Sequence, residues 1–168
     1  MKFGRKGVYV FSLLLLITSA CMPQQEQFNI VVDQLLSGSV PTIQPEEVND
    51  ASDSVIILDT RSAAEYSVSH IAGAQFVNYD ELDEAQLNSL DKNRPVLVYC
   101  TVGYRSEKVG EQLQKLGFKK VYNLYGGLIQ WKNAGRQVVN ADGIPTDSIH
   151  GYSPAWGRWI LNGVPVYE

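Results

Sequence analysis

The sequence of 168 residues contains few of the side chains from which metal sites and disulfides are built. There are two cysteines, Cys21 and Cys100, and two histidines, His70 and His150. No group of cysteines and histidines has the spacing of metal ligands, so we predict no metal site. We also expect no disulfide between the two cysteines, because Cys21 lies in a segment typical of export signals.

The chain also lacks the motifs that indicate nucleotide binding and several common catalytic mechanisms. It has no Gly-x-Gly-x-x-Gly, no P-loop and no Ser-His-Asp pattern, so neither a nucleotide-binding nor a serine-hydrolase function is supported. It carries no recognisable cofactor signature, and we expect no cofactor. Positive charge is scarce, since 14 Lys and Arg residues stand against 18 Asp and Glu, a formal net charge of -4. Such an acidic balance argues against nucleic acid as a partner.

Residues 1–21 have the organisation of a bacterial export signal. Three basic residues precede an apolar run over 8–17, which is shorter than the ~20 residues of a membrane span. Small residues before Cys21 resemble a lipoprotein processing site, although Thr18 stands where such sites usually carry leucine. Removal of the signal would take away three positive charges and shift the formal balance from -4 to -7.

The signal predicts a protein that is exported and then attached to a membrane through a lipid on Cys21. Its location would be a bacterial cell envelope, on the periplasmic side or at the cell surface. Ordinary secretion and an uncleaved anchor are the alternatives. Residues 22–27 are polar and are predicted to be a tether, and a short helix is predicted from Phe28 to about Gly38, which completes a segment over 22–41.

Length and composition predict one globular domain, because 45% of the residues are hydrophobic and the chain is long enough to bury a core. Short apolar runs over 55–58, 96–99 and 121–124 are typical of strands buried on both faces of a sheet. Because helical patterns alternate with these runs, we predict an α/β fold with an open, doubly wound parallel sheet and short helices on both faces.

The stretch over 96–106, with the sequence VLVYCTVGYRS, organises the rest of the chain. A buried strand over 96–99 leads into a short loop that begins at Cys100, and helical spacing follows over 106–116. In an open parallel sheet such a loop lies at the carboxyl end of a strand, where ligands usually bind. The positive N-terminal end of the next helix then faces the contents of the loop.

Cys100 is the candidate nucleophile. A free cysteine with a pKa near ~8.5 is only a few per cent thiolate at neutral pH, whereas one at a helix N-terminus beside a guanidinium can be mostly ionised. The backbone N–H groups of the loop are expected to form a nest for the charge on the sulfur. The predicted substrate-binding loop comprises Thr101, Val102, Gly103, Tyr104, Arg105 and Ser106.

Four of these loop residues have predicted tasks. Gly103 suits a turn that needs a positive φ. Arg105 is expected to bond the loop carbonyls or to pair with an anionic substrate, and Thr101 and Ser106 add hydroxyl donors.

Cys-x-x-Gly-x-Arg-Ser after a hydrophobic strand resembles the active-site loop of the rhodanese-like sulfurtransferases. Upstream, residues 57–61, 65–66 and 70–74 resemble the N-terminal motif of that family, and residues 116–118, 126–127 and Trp131 resemble its closing motif. The resemblance covers about 42–139 and rests on three motifs in order, which makes it far more specific than a lone cysteine and arginine.

The resemblance implies that Cys100 takes sulfane sulfur from a small donor, thiosulfate or a persulfide, holds it as a persulfide and passes it to a thiol acceptor. A non-catalytic sulfur carrier or docking module on the same fold is one alternative. A cysteine phosphatase or arsenate reductase is another. Those enzymes place five residues between cysteine and arginine, whereas this chain has four, from Thr101 to Tyr104, and the narrower loop favours sulfur.

Asp59 and Arg61 follow the strand over 55–58, and Ser62-x-x-Glu65 is a capping-box signal for a helix. Asp59 and Arg61 are predicted to form an ion pair or cap at this corner, with a role in shaping the active-site rim as the alternative. His70 is not favoured as a base for Cys100, because a histidine in His-Ile-x-Gly-Ala more often bonds backbone groups at a turn.

The extension over 140–168 is rich in aromatic residues, including Trp156 and Trp159. We expect it to pack on the domain surface as an extra element, because so many aromatic side chains are unusual in a flexible end. Covering the Cys100 loop, docking a protein partner and contact with a membrane surface are the alternatives.

Overall fold

The structure, a computed structural model, describes residues 22–49 and 54–167. The predicted signal peptide over 1–21 and the predicted lipidation at Cys21 lie outside the described residues. No helix in the described part of the chain is long and apolar enough to cross a membrane.

Short strands alternate with helices along most of the chain. The helices are α1 (Gln24–Leu35), α2 (Ala63–Val68), α3 (Glu84–Asn88), α4 (Tyr104–Lys115), α5 (Gly127–Asn133) and α6 (Pro154–Gly157), with a 3-10 turn at Pro45–Glu47. The strands are β1 (Thr42–Ile43), β2 (Ile56–Asp59), β3 (Gln75–Phe76), β4 (Val96–Tyr99), β5 (Val121–Leu124), β6 (Val138–Val139), β7 (Pro145–Thr146), β8 (Ser148–His150) and β9 (Val164–Val166).

Five strands form one parallel sheet in the order β1-β5-β4-β2-β3. β4 lies at its centre, so the residue that follows β4 emerges at the middle of the carboxyl edge. The predicted α/β fold with an open parallel sheet and flanking helices is confirmed. Toward the C-terminus, β6 and β7 form an antiparallel pair that joins the extension to the domain, and β8 and β9 form a parallel pair.

Alternate residues of the central strands belong to two hydrophobic cores, one on each face of the sheet. Val98 packs on one face of the sheet with Leu113 of α4, whereas Leu97 packs on the other with Leu128 and Trp131 of α5. Because successive strand residues point to opposite faces, a strand with helices on both sides is apolar throughout. This is why the apolar runs identified the strands.

The helix after the Cys100 loop begins two residues earlier than predicted. It begins at Tyr104, not at residue 106, because Gly103 adopts a left-handed conformation with φ 108° and starts the helix there. At the other end Gly117 also has a positive φ, and the N–H of Phe118 donates to the carbonyl of Leu113. This is a glycine C-terminal motif, which ends the helix.

The predicted tether over 22–27 is wrong, because α1 already begins at Gln24 and ends at Leu35. Phe28 and Val32 lie one helical turn apart and are fully buried against the domain. The polar residues before them find partners in distant parts of the chain. Gln24 donates to the carbonyl of Arg158 at 2.6 Å, and Gln25 donates to the side chain of Gln130 at 2.6 Å.

The two segments outside the central sheet also contact each other. The rings of Phe28 in α1 and Trp159 in the extension lie 5.7 Å apart, in a cluster with Val102 and Ile129. After α1 the chain is tied to α4 by the buried carboxylate of Glu107, which accepts hydrogen bonds from three successive backbone N–H groups over 37–39. Both segments are therefore fixed beside the Cys100 loop.

We predict that Phe28→Ala lowers the free energy of unfolding by about 3 kcal/mol, because it leaves a cavity where a buried ring packed. Ile30→Ala in the same helix is the matched control. Ile30 is 44% exposed, so its truncation should change stability by no more than about 0.5 kcal/mol. Urea unfolding measures both, and equal small effects would mean that α1 unfolds separately from the domain.

Candidate active site

Cys100 lies at the carboxyl end of β4, at the floor of an open cavity of about 310 Å³ that we call the Cys100 cavity. The side chain is 1% exposed, and the N–H of Gly103 donates to its sulfur at 3.1 Å. Cys100 is thus almost completely enclosed by the loop, although it belongs to the residues that line the cavity.

The backbone of the loop is held from below by the start of α5. The N–H of Leu128 donates to the carbonyl of Cys100 at 2.9 Å, and the N–H of Ile129 donates to that of Thr101 at 3.2 Å. This approach requires glycine at position 127, where φ is +57° and a Cβ would lie 2.4 Å from the carbonyl oxygen of Cys100. Gly127 thus both starts α5 and lets it approach the Cys100 loop closely.

A buried network fixes the second half of the loop. The hydroxyl of Ser106 donates to Oδ1 of Asn123 at 2.7 Å, while Nδ2 of Asn123 donates to the carbonyl of Gly103 at 2.9 Å. Ser106 was predicted to bind substrate, but it is fully buried and supports the loop from behind. Nothing in the analysis of the sequence singled out Asn123, although a polar residue inside the apolar run over 121–124 is a signal for a buried hydrogen-bonding role.

Arg105 is held by Glu65 of α2. Its Nη1 and Nη2 lie 2.8 Å and 2.7 Å from the two carboxylate oxygens, and the hydroxyl of Thr101 donates to Oε1 of Glu65 at 2.8 Å. The expectation that Arg105 bonds loop carbonyls is therefore corrected, because its hydrogen-bond partners are the carboxylate of Glu65 and the hydroxyl of Thr101. Pairing of Arg105 with an anionic substrate stays a prediction. The capping box predicted the helical position of Glu65 but not its contact with Arg105, which depends on the tertiary fold.

Burial and charge act in opposite directions on this pair. Burial alone would raise the pKa of Glu65, but hydrogen bonding and charge from Arg105 outweigh it and lower that pKa to about 2. Burial also opposes the charge on Arg105, yet hydrogen bonding from Glu65 and the nearby charge of Cys100 hold its pKa above the ordinary value. Both groups are therefore charged at neutral pH.

Asp59 and Arg61 form a second, fully buried ion pair at the corner after β2. Nη2 of Arg61 lies 2.7 Å from the Asp59 carboxylate, and both side chains are 0% exposed. Nη2 also donates to the carbonyl of Ser69, which follows α2. Neither residue lines the Cys100 cavity. The pair thus fixes the position of α2, which carries Glu65, and does not form the rim.

The two histidines are likewise engaged with backbone groups. Nδ1 of His70 lies 3.0 Å from the carbonyl of Tyr66, and the two rings stack at 3.9 Å. Nδ1 of His150 accepts from the N–H of Tyr152 at 3.1 Å, and burial lowers the pKa of His150. In the described part of the chain, no group of three or more His, Cys, Asp or Glu side chains is arranged to hold a metal ion.

The walls of the Cys100 cavity come from four parts of the chain. Besides the loop residues Cys100, Thr101, Val102, Tyr104 and Arg105, they comprise Leu35 of α1, Tyr79 and Asp80 after β3, and Tyr152 and Trp156 of the extension. Of the predicted loop residues, Gly103 and Ser106 lie behind this lining. The extension therefore both packs on the domain, through residues such as Trp159, and covers the loop.

A family model described as a rhodanese-like domain matches residues 44–134. A curated relative, the thiosulfate sulfurtransferase GlpE of Coxiella burnetii, is 41% identical over 78 residues, which are 46% of this chain and 72% of the relative. The putative sulfur carrier protein YrkF of Bacillus subtilis is 35% identical over 98 residues, which are 56% of this chain and 52% of the relative.

Among solved structures, a rhodanese-related protein of Thermoplasma volcanium matches with a TM-score of 0.53 and 26% identity. The match covers 97% of that chain but 59% of this one. Leu35, Tyr152 and Trp156, which line the Cys100 cavity, all lie outside the residues that the family model matches. Part of the cavity wall is thus supplied by segments beyond the shared domain.

We predict that the free energy of unfolding depends less on pH in Glu65→Gln than in the wild type. With a folded pKa of about 2 against an ordinary 4.5, the Glu65 carboxylate stabilises the fold above pH 4.5 and loses that effect as pH falls toward 2. Between pH 4.5 and pH 2 the wild type should lose about 2 kcal/mol of unfolding free energy through protonation of this group. At neutral pH the variant should be about 3 kcal/mol less stable, since it leaves Arg105 without its partner.

Urea unfolding of both proteins from pH 7 to pH 2 measures this effect. The gap in free energy between wild type and Glu65→Gln should narrow on acidification. Glu46→Gln, a change at an exposed carboxyl group, should instead run parallel to wild type. Parallel curves for Glu65→Gln and wild type would contradict the assignment of the ion pair.

Proposed function

Because the chain belongs to the rhodanese-like family, whose named relatives include sulfurtransferases and a sulfur carrier, we propose that it is a sulfurtransferase. It moves sulfane sulfur from thiosulfate or a persulfide to a thiol acceptor through a persulfide on Cys100. The observation that carries the proposal is the sulfur of Cys100 at the floor of an open cavity, with the N–H of Gly103 directed at it.

In the first half of the cycle, the Cys100 thiolate attacks the outer sulfur of the donor. A new S–S bond forms to Sγ of Cys100, while the bond between the outer sulfur and the rest of the donor breaks. The electron pair leaves with the donor remnant, as sulfite from thiosulfate or as a thiolate from an organic persulfide. No net oxidation takes place, because the transferred sulfur keeps its oxidation state.

In the second half, the thiolate of an acceptor attacks the outer sulfur of the Cys100 persulfide, and Sγ leaves as the thiolate. The N–H of Gly103 lies where it can stabilise negative charge on Sγ at both stages. The sequence has one other cysteine, Cys21, which we propose to be lipidated, so the acceptor is an external molecule. Arg105 is a positioning residue in this scheme, since Glu65 holds it against Thr101.

The placement of Arg105 also argues against phosphatase or arsenate reductase chemistry. In such an enzyme the guanidinium binds the oxyanion, but here two of its nitrogens are bonded to Glu65. A slow sulfur carrier remains the other function with support, because the relative YrkF is named a putative sulfur carrier protein. It would load sulfur on Cys100 but release it slowly.

Export and attachment to a membrane are part of the proposal, and they rest on the sequence of residues 1–21 alone. Cleavage before Cys21 and acylation of its thiol would leave a short stretch before α1 begins at Gln24. Since α1 packs on the domain, the proposed anchor would hold the catalytic domain close to the membrane surface.

We predict that incubation with thiosulfate or an organic persulfide adds the mass of one sulfur atom to the intact protein, and that Cys100→Ser abolishes the gain. A second incubation with a thiol should remove the added mass, since the persulfide is the substrate of the second step. Loading without release would favour the carrier. A protein that gains no sulfur from any donor but hydrolyses an aryl phosphate would overturn the proposal.

We predict that the protein made in a bacterial cell partitions with detergent and has a diacylated N-terminal cysteine, because Cys21 becomes the first residue. Mass spectrometry of the N-terminal peptide measures this. Cys21→Ala should leave the protein unacylated and retaining residues 1–20, while Cys100→Ser should be acylated normally. An unacylated wild type with a free N-terminus elsewhere would contradict the assignment.

A further inference from the structure

The charge balance of the Cys100 cavity is unsuited to a small dianion. Arg105 is the basic side chain of the lining, and among the described residues no other Lys or Arg lines it. Both carboxylate oxygens of Glu65 neutralise this guanidinium, and the ring of Tyr152 lies 5.2 Å from its central carbon. The carboxylate of Asp80 adds negative charge to the wall. A dianion entering this site would lose hydration without gaining a free cation.

The rest of the cavity is suited to an apolar group. Its walls carry three tyrosine rings, one tryptophan ring and two aliphatic side chains: Tyr79, Tyr104, Tyr152, Trp156, Leu35 and Val102. Cavities that bind small organic molecules are lined in this way, with a few polar groups at the reacting end. Here the reacting end is the sulfur of Cys100 with the N–H of Gly103.

One residue of the cavity wall has an energetically unfavourable backbone conformation. Tyr152 has φ 61°, the one positive φ among the described residues other than glycine, and the left-handed region costs such a residue about 1–2 kcal/mol. The conformation is held by the hydrogen bond from its N–H to His150. It places the ring 5.2 Å from the central carbon of Arg105, in the lining of the Cys100 cavity. Strain of this kind is typical of residues placed for binding.

From this cavity we infer the substrate class: the Cys100 cavity takes an organic persulfide whose sulfane sulfur is attached to an uncharged, apolar or aromatic group. The inference rests on the proposed sulfur transfer and narrows its donor. The organic group lies against Trp156 and Tyr152, and the outer sulfur reaches Cys100. On transfer the S–S bond of the donor breaks, the Sγ–S bond forms, and the organic thiolate leaves with the electron pair.

Two alkyl persulfides with similar S–S bonds test the inference, benzyl persulfide and 2-sulfonatoethyl persulfide, with thiosulfate as a third donor. The rate constant for loading sulfur onto Cys100 of the full chain is measured by rapid quench and intact mass. We expect benzyl persulfide to load about tenfold faster than its charged counterpart, the discrimination that a well-packed apolar group gives.

Variants on opposite sides of the cavity should shift this preference in a predictable direction. Trp156→Ala should reduce the ratio of benzyl to sulfonatoethyl rate constants about tenfold, by removing an apolar wall. Asp80→Lys should raise the rate constants of thiosulfate and 2-sulfonatoethyl persulfide, whose sulfane sulfur is attached to an anionic group, about tenfold relative to benzyl persulfide. Asp142→Lys makes the same change of charge at an exposed residue outside the lining, and it should change each rate constant by less than about twofold.

Equal rates for the two persulfides in wild type would overturn the inference, as would equal effects of Asp80→Lys and Asp142→Lys. If sulfur is loaded without such a preference, the inferred donor class is wrong but the sulfurtransferase proposal stands. If no donor loads sulfur, both proposals are wrong. Thermal melting of each variant checks the fold, and if Trp156→Ala is unfolded, the Asp80→Lys ratio decides the matter.

Discussion

The ion pair between Glu65 and Arg105 is the interaction on which the site depends. It joins α2 to the first turn of α4, and the hydroxyl of Thr101 in the Cys100 loop is hydrogen-bonded to both side chains. A buried bidentate pair has little freedom to move, because each charge would be left without a partner. The loop is thereby held at its outer side, while Gly127 and the amides after it hold its carbonyls from below. Cys100 is fixed between these two supports.

The same ion pair also determines what the cavity can recognise. An arginine beside a reactive sulfur could serve as an anion receptor, but here its charge is already compensated within the chain. Positioning the loop and binding an anion are thus alternative uses of one guanidinium. In this protein the guanidinium is paired with Glu65, and we propose that recognition depends on the surrounding aromatic and aliphatic side chains.

Those side chains come largely from outside the domain that the family shares. α1 contributes Leu35, and the extension contributes Tyr152 and Trp156. The contact of Phe28 with Trp159 holds the two segments together on the same side of the sheet. A common fold can in this way keep one reaction centre while additional segments change the group that reaches it. Under the proposed function, we expect the stability of α1 and the selectivity for the donor to be linked.

The local sequence by itself determined the three central strands, the cysteine loop and the start of α2 at its capping box, because apolar runs and capping residues act over a few positions. It also indicated that Asp59 and Arg61 would meet at a corner, since they are two residues apart. The partners of Arg105 and the role of Asn123 were decided only by the tertiary structure. Glu65 lies 40 positions from Arg105, and no periodicity connects residues that meet because parallel strands bring their carboxyl ends to one edge.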